Sequence, residues 1–459
     1  MLVATILGSG IALLDATVVN VALPAIERDL GGGLAGQQWV VTAYLITLGS
    51  LILVGGSLGD LYGERRIFSI GVAAFGVASL LCAVAPTIEL LVAARALQGT
   101  TSALLTPASL ALIAVSFSDE KERGAAIGTW TAWGGIATLI GPLAGGWIVD
   151  VGSWRWIFAL NVPFVLVTLA IVKVAGDPAK GRDRPKRRLD LVGALLAALG
   201  LAAPVLALVE QPARGWSDPV VAGGLAAGAA LLGLFVFWER RASDPMLPLH
   251  LFARRNFSAA NAETLLVYAG LSSLFFFLTI FLQQVAGWSA LESGLAGLPV
   301  TALMFGLSRR FGALSARFGP RLFMGGGPLI AATGVLLLAR VGEEVSYVVD
   351  VLPSMILFGV GLALTVAPLT ATVMLDATRG DSGIASGINN AVARVAALLG
   401  IAVVAVAVAG RSGAELDLSG FRIGMLLTAV LVGAGGVAGL LGIQNPSGAG
   451  RDRLVSSVS

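Results

Sequence analysis

The segment Gly56-Ser57-Leu58-Gly59-Asp60-Leu61-Tyr62-Gly63-Glu64-Arg65-Arg66 joins two long apolar runs and has a related copy 256 residues further along the chain. In the copy, Gly312 to Arg321, a glycine, a leucine, an aromatic residue, a second glycine and an arginine recur in the same order. A weaker echo, at an offset of 259 residues, pairs Gly124, Gly128 and Gly141 with Gly383, Gly387 and Gly400. Internal repeats of this kind predict a chain built from two related halves.

The composition indicates an integral membrane protein. Of the 459 residues, 56% are hydrophobic and only 12% are charged, whereas soluble domains have about 25% charged residues. The apolar residues form blocks of about 20 residues, the length that crosses a ~30 Å hydrocarbon core as a helix, whereas barrel strands need about ten. We therefore expect an all-α membrane protein.

Fourteen apolar blocks are long enough to span the membrane. Their approximate cores are 2–23, 38–59, 67–85, 88–114, 125–149, 156–174, 191–209, 219–238, 259–282, 293–312, 322–340, 348–374, 383–409 and 422–443. A basic, proline-containing segment follows the sixth block. These features predict an N-terminal six-helix bundle, a cytoplasmic linker, two additional spans, a C-terminal six-helix bundle and a cytoplasmic tail at 1–175, 176–190, 191–238, 239–443 and 444–459.

The basic residues lie mainly on one side of the predicted spans. With a cytoplasmic N-terminus, the inward loops hold 22 of the 30 Lys and Arg residues and the outward loops hold 6, while Arg95 and Arg394 lie inside spans. The positive-inside rule therefore places both termini in the cytoplasm and the chain in the cell membrane. The same rule accounts for the sequence pI near 9.3 without a nucleic-acid partner.

Several function classes are excluded by residues that the sequence lacks. Cys82 is the only cysteine and His250 the only histidine, so we expect no disulfide within the chain, no Cys-rich metal site and no histidine proton relay in the membrane. No phosphate-binding loop of the Gly-x-x-x-x-Gly-Lys-Ser/Thr type occurs. Nucleophile, base and orienting group do not cluster in any motif, so we expect no enzyme, no cofactor and no bound metal.

Three charged residues inside the predicted spans are candidates for chemistry. An acid at the centre of a spanning helix costs roughly 2.5–3.5 kcal/mol on insertion scales, so Asp15 in the first span is predicted to face a protein interior or a cavity and to take up protons. Glu263 in the ninth span is a second titratable candidate. Arg95 cannot lose its charge and needs a partner or water. The alternatives are that Asp15 lies at an interface, that Glu263 snorkels, and that Arg95 bonds only backbone carbonyls.

The quoted loop, Gly56 to Arg66, resembles the loop signature of the major facilitator superfamily. Leu91 to Gly99 resembles the fourth-span signature, and Gly135 to Gly146 resembles the fifth-span signature of antiporters. With Leu14 to Pro24 and fourteen spans, the chain resembles the fourteen-span drug:proton antiporters, which include multidrug and quaternary-ammonium exporters. The resemblance covers essentially the whole chain. It implies the major facilitator fold, with two six-helix bundles plus two extra helices, and proton-coupled efflux of lipophilic, cationic compounds by a monomer.

The resemblance also implies residue roles. Arg95 would tune protonation of Asp15, and Gln98, three residues further on, would share its helix face. The expected gating loop is Gly56, Asp60, Gly63, Arg65 and Arg66, with Asp60 engaging the helix start near Ser382 and Gly383. Its alternative is a hairpin without a gating role. The expected antiporter helix carries Gly135, Gly141, Pro142, Gly145 and Gly146, where Gly141 and Gly145 permit close packing on another span. Generic packing is the alternative there.

The predicted substrate cavity is lined by polar and aromatic residues from several spans: Asn20, Gln98, Trp130, Trp133, Asn389, Asn390 and Arg394. Phe275, Phe276 and Phe277 are further candidates for aromatic walls, with packing or contact with lipid as the alternative. Two other functions remain open. One is a dedicated exporter of a single metabolite or antibiotic, and the other is a membrane sensor that transports nothing.

Overall fold

A computed structural model describes residues 1–117, 119–175, 190–242, 245–342, 344–375, 382–412 and 415–445. The described residues contain helices and no strand. The helices are α1 (Leu2–Leu30), α2 (Gly33–Tyr62), α3 (Glu64–Ala83), α4 (Ile88–Ser116), α5 (Glu120–Val151), α6 (Arg155–Ala159), α7 (Asn161–Ala175), α8 (Leu191–Arg214), α9 (Pro219–Glu239), α10 (Arg255–Ile280), α11 (Ala290–Ala296), α12 (Leu298–Phe318), α13 (Pro320–Leu338), α14 (Leu352–Leu375), α15 (Ser382–Ser412) and α16 (Leu418–Gly442).

The fourteen predicted spans all appear as helices. Thirteen segments of the described chain are long and apolar enough to cross a membrane, with α6 and α7 forming one of them and α11 and α12 another. The fourteenth is α2, a helix of 30 residues. The all-α prediction is confirmed. Residues 176–189 of the predicted linker and 446–459 of the predicted tail lie outside the described residues.

The helices form two compact units. Unit 1 contains residues 1–246 together with 289–294, and unit 2 contains 247–288 together with the rest of the chain from 295. The two additional spans, α8 and α9, pack on each other and α8 packs on α2, so they belong to unit 1. Gly228 permits their close approach, because a Cβ atom there would lie within 3.0 Å of the Pro204 ring.

The repeated loop places an arginine against the sixth span of each six-span bundle. In unit 1, Arg65 donates from its Nη2 to the carbonyl of Val172 at 2.8 Å, near the end of α7. In unit 2, Arg321 donates from its Nε to the carbonyl of Leu440 at 2.6 Å, near the end of α16. The last carbonyls of a helix lack intrahelical partners and attract positive charge. The arginine shared by the two copies therefore caps corresponding helix ends.

The weaker glycine echo also has the same structural role in both units. A Cβ atom at Gly141 of α5 would collide with the Thr17 side chain of α1, and one at Gly400 of α15 would lie 2.6 Å from the Ala269 Cα of α10. The fifth helix of each bundle thus packs on the first helix through a glycine without room for a side chain. Gly145 repeats this contact one turn on, against Val18 and Val21. The predicted close packing is confirmed.

We expect Gly400→Ala to destabilise unit 2, since the added methyl group overlaps the Ala269 backbone, which cannot rotate away as a side chain would. Overpacking of this kind costs about 1–3 kcal/mol of unfolding free energy. Gly410→Ala is the matched control on the same helix, because no heavy atom lies within 4 Å of its added Cβ. Thermal unfolding of the detergent-purified variants tests this. Equal midpoints for the two variants would contradict the packing role.

Candidate functional site

Asp15 lies at the centre of a closed polar network inside unit 1. Its side chain is 0% exposed, and its Oδ2 accepts a hydrogen bond from Nη1 of Arg95 at 2.5 Å, which makes a buried ion pair. Its Oδ1 accepts from Nε2 of Gln98 at 2.9 Å and from Nδ2 of Asn161 at 3.1 Å. The sequence left open whether Asp15 and Arg95 meet, and the structure shows direct contact between them.

Arg95 is held from several directions at once. Its Nη1 also donates to Oε1 of Gln98 at 2.6 Å, and its Nε donates to the Val40 carbonyl of α2 at 3.1 Å. The guanidinium carbon lies 4.4 Å from the Tyr44 ring centroid and 5.7 Å from the Phe158 ring centroid. A cation over an aromatic face is stabilised most where water is excluded. The predicted shared face of Arg95 and Gln98 is confirmed, and a backbone carbonyl contributes as well.

Two residues that the sequence reasoning missed complete this network. Ser79 of α3 accepts through Oγ from Nε2 of Gln98 at 2.8 Å and from Nδ2 of Asn161 at 3.2 Å. Asn161 begins α7 and is 1% exposed. The network therefore joins α1, α3, α4 and α7. The available signal was a neutral polar residue inside an apolar span, which many spans carry without a function.

A proton on Asp15 would break the buried ion pair with Arg95. A buried ion pair that loses one charge leaves the other uncompensated, at a cost of about 3–5 kcal/mol. If Asp15 took up a proton in this geometry, the Arg95 guanidinium would keep its charge and lose its carboxylate. Arg95 would then need water or a new acceptor, which requires the helices around it to move.

Glu263 is a buried acid in unit 2. Its side chain is 0% exposed, and neither carboxyl oxygen has a hydrogen-bond partner among the described residues. A Cβ atom added to Gly439 of α16 would lie 2.8 Å from Oε2 of Glu263, so the carboxyl faces the α16 backbone. The alternative that it snorkels to water is wrong. A buried carboxyl group without a hydrogen-bond partner is costly, so the described state leaves this acid unsatisfied.

The polar residues predicted on α15 divide between two faces. Asn389 donates to Oγ1 of Thr264 at 2.7 Å and to Oδ1 of Asn261 at 3.2 Å, so its amide joins α15 to α10. Asn390 is exposed and donates to the Ser386 carbonyl of its own helix. Arg394 is half-buried. Asn390 and Arg394 therefore share an open face, and Asn389 does not belong to it.

The aromatic candidates behave differently from one another. Trp133 of α5 is 49% exposed, while Trp130 is half-buried with its indole Nε1 unpaired among the described residues. Phe276 and Phe277 are fully buried and lie edge to face with each other. They fill the interior of unit 2, so the packing alternative applies to these two residues. Phe275 is half-buried and packs edge-on against Phe358.

The remaining predicted positions are only partly described. Gly63 has a φ of 97°, which glycine adopts readily, and it separates α2 from α3. Arg66 is exposed, as is Gly135 of α5, while Asn20 and Pro142 are half-buried. Gly146 contacts the start of α11 within unit 1. The Asp60 side chain lies outside the described residues, as do the side-chain environments of Ser382 and Gly383.

Residues 5–401 match the Major Facilitator Superfamily. The chain belongs to this superfamily. It is 38% identical over 409 residues to the puromycin resistance protein pur8 of Streptomyces alboniger, covering 88% of this chain and 81% of that protein. It is 36% identical over 416 residues to the multidrug resistance protein Stp of Mycobacterium tuberculosis, covering 91% and 77%.

A solved structure shows the same fold. The crystal structure of a bacterial homolog to the human lysosomal transporter Spinster, inward-facing and unoccupied, superposes with a TM-score of 0.69 at 17% identity, covering 100% of this chain and 97% of that one. The predicted major facilitator fold is confirmed. This superfamily member is a multi-pass membrane transporter of small molecules and not an enzyme.

For this transporter we expect Asp15→Asn to lower the free energy of unfolding by about 3–5 kcal/mol, because it leaves the buried Arg95 charge without a counter-charge. The double variant Asp15→Asn/Arg95→Gln removes both charges and should unfold at a higher temperature than Asp15→Asn alone. Thermal unfolding of the purified variants measures this. If the two substitutions instead destabilise additively, the ion pair is not what holds the network together.

Proposed function

We propose that this protein exports lipophilic drugs or toxic compounds across the cytoplasmic membrane by alternating access, in exchange for protons. Both termini lie in the cytoplasm, where the positive-inside rule puts them. The observation that carries the proposal is the Asp15–Arg95 pair, fully buried in unit 1 and part of a side-chain network that joins four helices. At a site of this kind, binding of a proton would change how the surrounding helices pack.

The proposed cycle follows from the two charge states of Asp15. The ionised acid keeps Arg95 neutralised and keeps α1, α3, α4 and α7 together. Protonation releases Arg95, which favours a conformation in which water or another acceptor reaches it. A ligand can shift such an equilibrium only by its different affinity for the two states. For the proton, the difference in affinity between the two conformations comes from the loss of the ion pair. For the substrate, it comes from the contacts that the substrate makes in each conformation.

Glu263 is proposed as a second proton carrier. It lies in unit 2 at the α10–α16 interface, and it would exchange a proton only in a conformation that admits water there. The fixed Gly439 backbone beside it leaves little space for water in the described state. Two such acids, one in each unit, would allow more than one proton per cycle.

The other predicted residues have supporting roles in this proposal. Asp60 with Arg65 and Arg66 would form the gating loop, while Gly135, Gly141, Pro142, Gly145 and Gly146 would keep α5 movable against α1. Asn20, Gln98, Trp130, Trp133, Asn390 and Arg394 would face the substrate path in at least one state. Gln98 is fully engaged with Asp15 and Arg95 in the described state. It would reach substrate only after the network opens.

A second candidate is a dedicated exporter of one compound. The similarity to pur8, whose name specifies resistance to puromycin alone, favours it, while the similarity to Stp, named for multidrug resistance, favours broad export. Efflux assays in one bacterial host with a panel of structurally unrelated dyes and antibiotics separate the two. Broad protection supports the first candidate, and protection against a single compound supports the second.

We expect the pH gradient to drive export through Asp15. In proteoliposomes, an imposed gradient should accelerate wild-type transport of a dye identified in the efflux panel, because proton and substrate bias the same conformational equilibrium. Asp15→Asn should abolish this acceleration while leaving dye exchange without a gradient. Glu89→Gln is the control, because Glu89 lies exposed at the start of the same helix as Arg95. Undiminished acceleration in Asp15→Asn would refute proton coupling at this site.

We expect Glu263→Gln to change the number of protons exchanged. The dye gradient reached at equilibrium should depend less steeply on the pH gradient, by about one proton per dye, since glutamine cannot carry the proton. Reversal-potential measurements in proteoliposomes give this slope. An unchanged slope would show that Glu263 stays protonated through the cycle and acts only in packing.

A further inference from the structure

Arg394 is an arginine inside a span whose charge the described protein does not compensate. It lies on α15 within the candidate span Ile384–Gly410, ten residues from its start, which is about 15 Å along the helix and near mid-membrane. Among the residues that the structure describes, it forms no ion pair and no hydrogen bond. Arg95, which also lies inside a span, has an acid at 2.5 Å.

The neighbours of Arg394 do not neutralise it. Tyr268 of α10 lies near enough to interact electrostatically with Arg394, but a phenol hydroxyl is not a counter-ion. Glu263 is buried in unit 2, but its carboxyl faces Gly439 of α16. Glu263 also precedes Tyr268 by five residues, so the two side chains leave α10 about 140° apart. Glu263 therefore does not serve as the counter-ion of Arg394.

The face that carries Arg394 is open. Asn390 lies four residues earlier on the same face, is exposed, and bonds only to its own helix at Ser386. The face that packs on α10 is marked by Asn389, about 140° round the helix from Arg394. A half-buried guanidinium inside a span does not face lipid stably, since it cannot give up its charge. The Asn390–Arg394 face therefore meets water or a ligand.

We infer that Arg394, with Asn390 beside it, binds an anionic oxygen of the transported compound, a carboxylate or a phenolate. The planar guanidinium offers several donors in a fork that matches such an oxygen, and the asparagine amide adds a neutral donor or acceptor. The inference rests on the proposed export function and specifies its substrate class. It differs from the cationic substrates that the family resemblance implies, because an uncompensated positive charge repels a cation.

Two dyes of the same xanthene skeleton test this assignment. Fluorescein is anionic at neutral pH and rhodamine 123 is cationic. Binding of each to the detergent-purified full-length protein is measured by fluorescence anisotropy. Arg394→Gln should weaken fluorescein binding by about tenfold or more, the usual effect of losing a charge-assisted hydrogen bond, and leave rhodamine 123 binding unchanged or stronger. Arg394→Lys should keep most of the fluorescein affinity.

The controls separate this inference from a folding defect and from the proposed function. Arg340→Gln removes an exposed arginine just after α13 of the same unit and should change neither dye. Equal weakening of both dyes in Arg394→Gln, unchanged fluorescein binding, or no fluorescein binding to the wild type would each overturn the inference. Proton-driven flux is measured separately in proteoliposomes. Its absence with normal fluorescein binding would refute the proposed function and leave the Arg394 site standing.

Discussion

The permanent charge of Arg95 is the constraint on which the arrangement of unit 1 depends. A guanidinium that is 1% exposed must be neutralised by protein, because it cannot be deprotonated and no water reaches it. Asp15 supplies the charge, while Gln98 and the Val40 carbonyl satisfy other donors. Each partner comes from a defined helix, so the requirement fixes how α1, α2 and α4 face one another. Ser79 and Asn161 extend this to α3 and α7.

Unit 2 repeats the packing of unit 1 but not its electrostatics. The glycine contacts between the first and fifth spans of each bundle, and the arginine caps on the sixth span, occur in both units. The ion pair does not, because the residues 256 positions after Asp15 and Arg95 are Leu271 and Val351. Unit 2 instead holds Glu263 and Arg394, which form no ion pair with each other. The repeat thus preserves the helix packing of the two units. The charged residues differ between the units, so we expect each unit to bind a different ligand.

The sequence predicted the features that depend on the free-energy cost of placing individual residues in lipid. Block length and composition indicated fourteen helices, and the expense of charges in lipid singled out Asp15, Arg95 and Glu263. What it could not supply is the rotation of each helix about its axis, which is set by packing. For this reason the sequence places Asn389 and Asn390 in one cavity although they occupy two faces of α15, and it does not decide whether Phe276 and Phe277 line a wall or pack in the core, where they lie. Ser79 and Asn161 were missed because neutral polar residues are cheap in a span.

The burial of Asp15 also bears on the charge of the exported compound. The expectation of a cation is simplest if proton and substrate compete for one carboxylate, but both oxygens of Asp15 are occupied and its side chain is 0% exposed. Coupling through helix packing imposes no such competition. An anion leaving the cell moves with a negative-inside potential, which contributes about 2.3 kcal/mol per charge at 100 mV, whereas a cation moves against it. An oxygen anion at Arg394 would therefore make export easier to drive, with the proton at Asp15 selecting the conformation.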